Sequence, residues 1–265
     1  MRRNPDVSPT VVGRVLDVLD AFSSERPVLT LSELSRRAGL PLSTAHRLVR
    51  ELTARGALER DESGGYRVGL WLWEIASLAP HGTGLREAAL PFLEDVYEAT
   101  HQNVQLAVLD GAEVVYVERI SGRDAIRIQT RVGGRLPAHV TGVGRVLLAF
   151  APPQVQEDAL AAPLKRYSER TISSADELRR VLADVRRDGY AISEGQIEPD
   201  AVSVAAPVYG RQDTVVAAIS IVAPADATDP RTVVPAVRAA ARGISRALGA
   251  PRARTPFDGV RSEPP

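Results

Sequence analysis

The chain has 265 residues, 44% hydrophobic and 25% charged, with zero formal net charge and no cysteine. That length allows two modest domains, since domains usually hold roughly 100–200 residues, and the composition suits a soluble protein with a core to bury. Neutral charge makes any nucleic-acid surface local. The lack of cysteine excludes disulfides, thiolate nucleophiles and thiolate metal sites.

Residues 1–9 are polar and proline-containing, and read as a flexible tail. Arg2 and Arg3 are not followed by an apolar run, which argues against a signal peptide. No stretch reaches the ~18 apolar residues of a membrane helix. The chain is expected in the cytoplasm, without membrane contact.

From Thr10 to Phe22, Val12, Val15, Leu16, Leu19 and Phe22 recur at helical spacing. A second helix fits Leu31 to Arg37, with Thr30 and Glu33 placed for a capping box. Ala38-Gly39-Leu40 breaks it. Pro41 opens a third helix running to about Ala54, and Gly56 follows where a C-terminal glycine belongs. Ala57–Arg60 and Tyr66–Val68 then read as a hairpin. Three helices and a hairpin in this order predict a winged helix-turn-helix over residues 10–79.

An apolar segment, Leu70–Ala79, leads to a hinge at Pro80-His81-Gly82-Thr83-Gly84. A connecting helix over Leu85–Thr100 completes a linker at 80–100. Beyond it strands are predicted at Val104–Leu109 and Val114–Ile120, around the turn Asp110-Gly111, and at Ile126–Thr130. Helices are predicted at Val143–Phe150, Pro153–Leu160 and Ala175–Asp188. Three further strands (Tyr190–Ser193, Val202–Val208, Val215–Val222) and a helix at Thr232–Leu248 follow. This mixture predicts an α+β sheet domain over residues 101–250, with a disordered tail at 251–265.

On the third helix Ala45, Leu48, Val49 and Leu52 form an inward stripe. Ser43, His46, Arg47 and Arg50 point outward, with Thr44 at the helix start. The second helix of a helix-turn-helix enters the major groove, where Arg addresses guanine and hydroxyls suit phosphates. Between Arg36 and Arg60 stand six arginines against Glu51 and Glu59. Arg67, in the second wing strand, is placed to reach the phosphate backbone. Taken singly, each of these side chains also fits a solvated surface, and His46 fits either role. Their common position on the outer face of one helix favours DNA.

Four segments carry a family resemblance. LSELSRRAGLPLSTAHRLVRELTARGALER, YRVGLWLWEIASLA, LPAHVTGVGRVLLAF and GYAISEGQIEPDAVSVAAPVYGRQDTVVAAISIVAP resemble, in order and spacing, the isocitrate-lyase-regulator (IclR) family of transcription factors. The similarity covers about residues 10–250. Gly142 stands where the family usually has alanine, Arg145 where lysine is commoner, Asp200 at a usual glycine, and Val222 where some members carry serine. The resemblance implies a GAF-like C-terminal domain that binds small organic acids. It also implies dimerisation through the DNA-binding domains and pairing of dimers into tetramers.

Small-molecule sites are concave and mostly apolar, with a few convergent polar groups. Thr141-Gly142-Val143-Gly144 opens a helix whose free N–H groups suit a carboxylate. Thr141 either caps that helix or meets ligand. His139 either pairs with an anion or is structural. By resemblance the polar pocket residues match Ser193, Ser203 and Ser220. Alternation places Ser203 and Ser220 opposite their apolar neighbours, with Ser220 interior and Ser203 either inside or exposed. Arg127, between Ile126 and Ile128, either binds an acid or lies exposed, and exposure is favoured.

The chain is thus predicted to be a repressor that binds a palindrome-like operator in double-stranded DNA as a homodimer or homotetramer. An organic-acid or aromatic metabolite would control it from the effector-binding domain. The competing prediction is a small-molecule enzyme with an attached interaction module. The four histidines are scattered without metal-ligand spacing, and neither a nucleophile elbow nor a P-loop occurs. No catalytic residue, metal or cofactor is expected.

Overall fold

The computed structural model describes residues 10–23, 25–79, 83–123 and 125–254. The predicted tails at 1–9 and 255–265, and residues 80–82 of the hinge, lie outside these. The chain divides into two compact units, residues 1–79 and 80–265.

In the first unit α1 (Val11–Leu19) is capped by Thr10, whose hydroxyl accepts the Gly13 N–H at 3.0 Å. After β1 (Val28–Leu29) comes α2 (Leu31–Ala38), opened by the predicted Thr30–Glu33 capping box and closed by Gly39 at φ +67°. The turn through Leu40 and Pro41 leads directly into α3 (Leu42–Ala54). The predicted hairpin is β2 (Leu58–Arg60) and β3 (Tyr66–Val68). β1 adds a third strand on the far side of β3, too short to show any period in sequence. Val18, Leu34, Leu48, Val49, Leu52 and Leu58 make the core. The apolar run after the wing is a helix, α4 (Leu70–Ser77), with no buried residue.

The second unit has three layers. Its sheet contains β4 (Asn103–Asp110), β5 (Glu113–Ile120), β6 (Arg135–Pro137), β7 (Ala191–Glu194), β8 (Ala201–Tyr209) and β9 (Val215–Pro224), in the order β6-β5-β4-β9-β8-β7 and antiparallel throughout. Alternation sorts the strand residues. Leu106, Val204, Ile219 and Ile221 face α5 (Thr83–Thr100) and α9 (Pro230–Ala247). Ala107, Tyr116, Ala205 and Ala218 face α6 (Gly142–Ala149), α7 (Pro153–Ala161) and α8 (Ala175–Asp188). The α+β architecture is as predicted.

Two predictions fail. Ile126–Thr130 is not a strand. Its polar backbone groups go to side chains: Asn103 Nδ2 donates to the Ile126 carbonyl at 2.9 Å, and an Arg119 Nη donates to the Thr130 carbonyl at 2.8 Å. The true edge strand is β6, which pairs with β5 at Glu113–Val115. The tail is also not disordered from 251 onward, because Pro251–Arg254 forms a 3-10 turn with Ala250 and Ala253 buried. Two small apolar side chains hold that turn down where composition alone suggested a loose end.

Candidate DNA-binding helix and effector cavity

On α3 the predicted inward stripe Ala45, Leu48, Val49 and Leu52 is buried. That fixes the opposite face by geometry: Ser43, His46, Arg47 and Arg50 are exposed and Thr44 is half-buried at the helix start. Pro41 precedes α3 without a side-chain cap, so the first N–H groups of the helix carry its positive end outward. Arg67 is differently placed. It pairs with Glu59 across the wing at 2.9 Å, while the other Glu59 oxygen accepts the Leu70 N–H at 3.0 Å. Those donors hold the Glu59 carboxyl below its usual pKa.

In the second unit a cavity of about 50 Å³ opens on the α6 face of the sheet. Thr141, Gly142, Ser193, Ser203 and Ser220, all singled out from sequence, line it together. Ile128, Leu136, Val140 and Val143 supply apolar wall. Gln105 and Ser220 are register partners on β4 and β9, and Ser193 and Ser203 on β7 and β8; the two polar pairs are offset by two residues, since Ser220 lies opposite Ala205 and Ser203 opposite Val222. Ser220 is 1% exposed, and its hydroxyl has no hydrogen-bond partner among the described residues. A buried hydroxyl left unpaired costs about 1–3 kcal/mol.

Thr141 caps α6, accepting the Gly144 N–H at 3.0 Å, and also lines the cavity. The capping role is the one that its hydrogen bond shows. His139 does not line it. The His139 ring meets the Lys165 carbonyl at 3.1 Å, and its own carbonyl accepts from Arg145 Nε at 3.0 Å. Burial first, then the Arg145 charge, holds the His139 pKa below its ordinary value. Arg145 is itself buried, which pushes its guanidinium down to about 10. Arg127 is exposed, as expected.

Sequence reasoning passed over Gln105, Tyr116, Thr130, Gln196 and Glu198, which also line the cavity. Gln105 carried a signal, being the polar residue within the apolar stretch from Val104 to Leu109. Glu198 carried none, because it sits in the loop between β7 and β8. The Tyr116 phenol is pushed well above its ordinary pKa by burial and by the Glu198 charge, against a hydrogen bond with Thr141, so it is a neutral hydroxyl. Among the described residues no His/Asp/Glu group has metal-binding geometry, and no helix is long and apolar enough to cross a membrane.

Comparison with known proteins adds the decisive observation. Residues 11–62 match the IclR helix-turn-helix domain, and residues 78–246 match the bacterial transcriptional regulator IclR C-terminal domain. The chain belongs to the IclR family. IclR-family relatives include the HTH-type transcriptional regulator XynR of Escherichia coli, 32% identical over 91% of this chain and 97% of that protein. The Glycerol operon regulatory protein of Streptomyces coelicolor is 32% identical over 84% of this chain and 90% of its own. Among solved structures, an IclR homologue of Microbacterium hydrocarbonoxydans complexed with 4-hydroxybenzoate superposes with a TM-score of 0.85, at 40% identity over 90% of this chain and 99% of that one. The Thermotoga maritima IclR superposes at 0.73, with 26% identity over 90% and 98%. This IclR-family chain is therefore a DNA-binding transcriptional regulator with an effector domain, and its relatives are regulators, not enzymes.

Proposed function

We propose that this regulator represses transcription from a palindrome-like operator and releases it when an aromatic carboxylic acid enters the α6 cavity. Ser43, Thr44, His46, Arg47 and Arg50 on the exposed face of α3 contact DNA, with Arg67 on the flanking phosphates. Ser193, Ser203, Ser220, Thr141 and Gly142 receive the effector. The buried, unpaired Ser220 hydroxyl carries this reading: it sits in a mostly apolar cavity where a ligand oxygen would pair it. The 4-hydroxybenzoate in the Microbacterium homologue supports the aromatic class. About 50 Å³ holds only about three or four waters, so the cavity widens to take such a ligand.

A homodimer fits the surface of the first unit. Leu70, Trp73 and Leu78, together with Val12 and Leu16 of α1, are more than half exposed, a density of apolar side chains that marks an interface. A two-fold protein matches a two-fold operator. The test uses the full chain with duplex DNA from the intergenic region upstream of its gene. 4-Hydroxybenzoate should raise the melting temperature and weaken DNA binding at least tenfold. Stabilisation by no aromatic acid, or DNA binding indifferent to a stabilising acid, overturns the effector reading.

A further inference from the structure

Resting on that effector reading, we infer that Glu198 is a specificity-determining residue, favouring aromatic acids that carry one carboxylate and one uncharged hydrogen-bond donor and turning away dicarboxylates. Two sets of polar groups line the cavity. In one, Thr141, Gly142 and Val143 present the start of α6, with Ser203 beside them: a Cβ on Gly142 would lie 2.8 Å from the Ser203 hydroxyl oxygen. This set suits an anion, and the unpaired, 1% exposed Ser220 hydroxyl on the cavity wall offers a further contact. In the other stands the Glu198 carboxylate. Its Oε1 accepts the Gln129 N–H at 3.1 Å, and Oε2 meets no donor among the described residues. Tyr116 links the two sets: it hydrogen-bonds Thr141, and its phenol is held neutral by burial and by the Glu198 charge.

Among the described residues no arginine, lysine or histidine lines the cavity. Of the cations beside it in the chain, Arg145 is turned to the His139 and Ile192 carbonyls, Arg135 is paired with Asp110 and Glu113, and Arg127 and Arg131 are exposed. One ligand carboxylate is therefore served by α6 and the serines. A second would face the half-exposed Glu198 carboxylate with no counter-charge among the described lining residues. A phenolic hydroxyl in the same place donates to Oε2 instead, and a charge-assisted bond of that kind is the stronger sort.

Calorimetric titration of the full-length protein tests this with three acids sharing one ring: benzoate, 4-hydroxybenzoate and terephthalate. 4-Hydroxybenzoate should bind tightest, at least tenfold better than terephthalate, with benzoate between them. Glu198→Gln keeps the acceptor for Gln129 and removes the charge. It should cut the gap between 4-hydroxybenzoate and terephthalate at least fivefold, mainly through gained terephthalate affinity. Terephthalate binding the natural protein as well as 4-hydroxybenzoate does would overturn the inference, even if Glu198→Gln fails to fold. So would a Glu198→Gln variant whose preference is unaltered or whose affinities all shift by one factor. In those outcomes the acids still bind and the effector reading stands. Binding of none of the three rejects both.

Discussion

Gly142 and Ser203 lie side by side on the α6 cavity: a Cβ on Gly142 would begin 2.8 Å from the Ser203 hydroxyl oxygen. Gly144, two residues on, is tighter, since a Cβ there falls 2.2 Å from the Ala138 carbonyl oxygen. The two contacts differ in what can yield. Ser203 can rotate, whereas the Ala138 backbone cannot. Gly142→Ala should leave the fold intact, or stabilise it by up to about 1 kcal/mol, while weakening 4-hydroxybenzoate at least threefold. Gly144→Ala should cost about 2–3 kcal/mol. Thermal melts with and without the acid separate the two effects.

Glu59 holds Arg67 across the wing at 2.9 Å. Arg47→Ala should lower operator affinity by about 1–3 kcal/mol and relax preference at one base position. Glu59→Gln, which keeps the bond to Leu70 but frees Arg67, should raise affinity for operator and random duplex alike and steepen the salt dependence. Fluorescence anisotropy over a salt series reads both, and an operator-selective gain contradicts a phosphate role for Arg67.

Trp73 is 60% exposed on a helix with no buried side chain. Trp73→Glu should convert a dimer or tetramer to a smaller species in sedimentation at micromolar concentration. Sedimentation unchanged by the substitution removes α4 from the interface.

Glu118 on β5 is buried and ion-paired to Arg86, near the start of α5. The adjacent Arg119 holds Asn103 and the loop that carries Ile128 and Thr130 into the cavity. α5 is the first element of the second unit, so a role of this pair in coupling ligand to DNA is open to test. Arg86→Ala should leave 4-hydroxybenzoate affinity within about twofold while reducing its effect on DNA affinity by at least fivefold, a coupling change of about 1 kcal/mol. Equal loss of both would show a structural role alone.

His139 gives a pH signature. Its folded pKa lies below the ordinary value of 6.5, so between the two values the unfolded chain binds more protons and folding stability falls as pH drops. Denaturant midpoints should decline below pH 6.5 more steeply in the natural protein than in His139→Gln. Parallel declines would show that the ring charges freely in the fold.

Periodicity alone determined α3 and which of its residues face out, because burying Ala45, Leu48, Val49 and Leu52 leaves Arg47 and Arg50 no other side. The Thr30–Glu33 cap and the β4–β5 hairpin were legible for the same reason, as each depends on residues close in the chain. Ser220 was legible as interior because its strand is apolar on both sides. Tertiary structure decided the rest. Residues 126–130 alternate like a strand, yet no neighbouring strand is there to pair them, and Asn103, Arg119 and Glu198 bind them instead. Glu198 enters the cavity from a loop with no pattern to read. Arg145 Nε reaches the His139 carbonyl only once α6 is folded, and its Nη2 has no partner among the described residues. Local periodicity records which face of an element is buried. Which loop closes over that face, and which charge it carries there, depends on contacts between residues far apart in the chain.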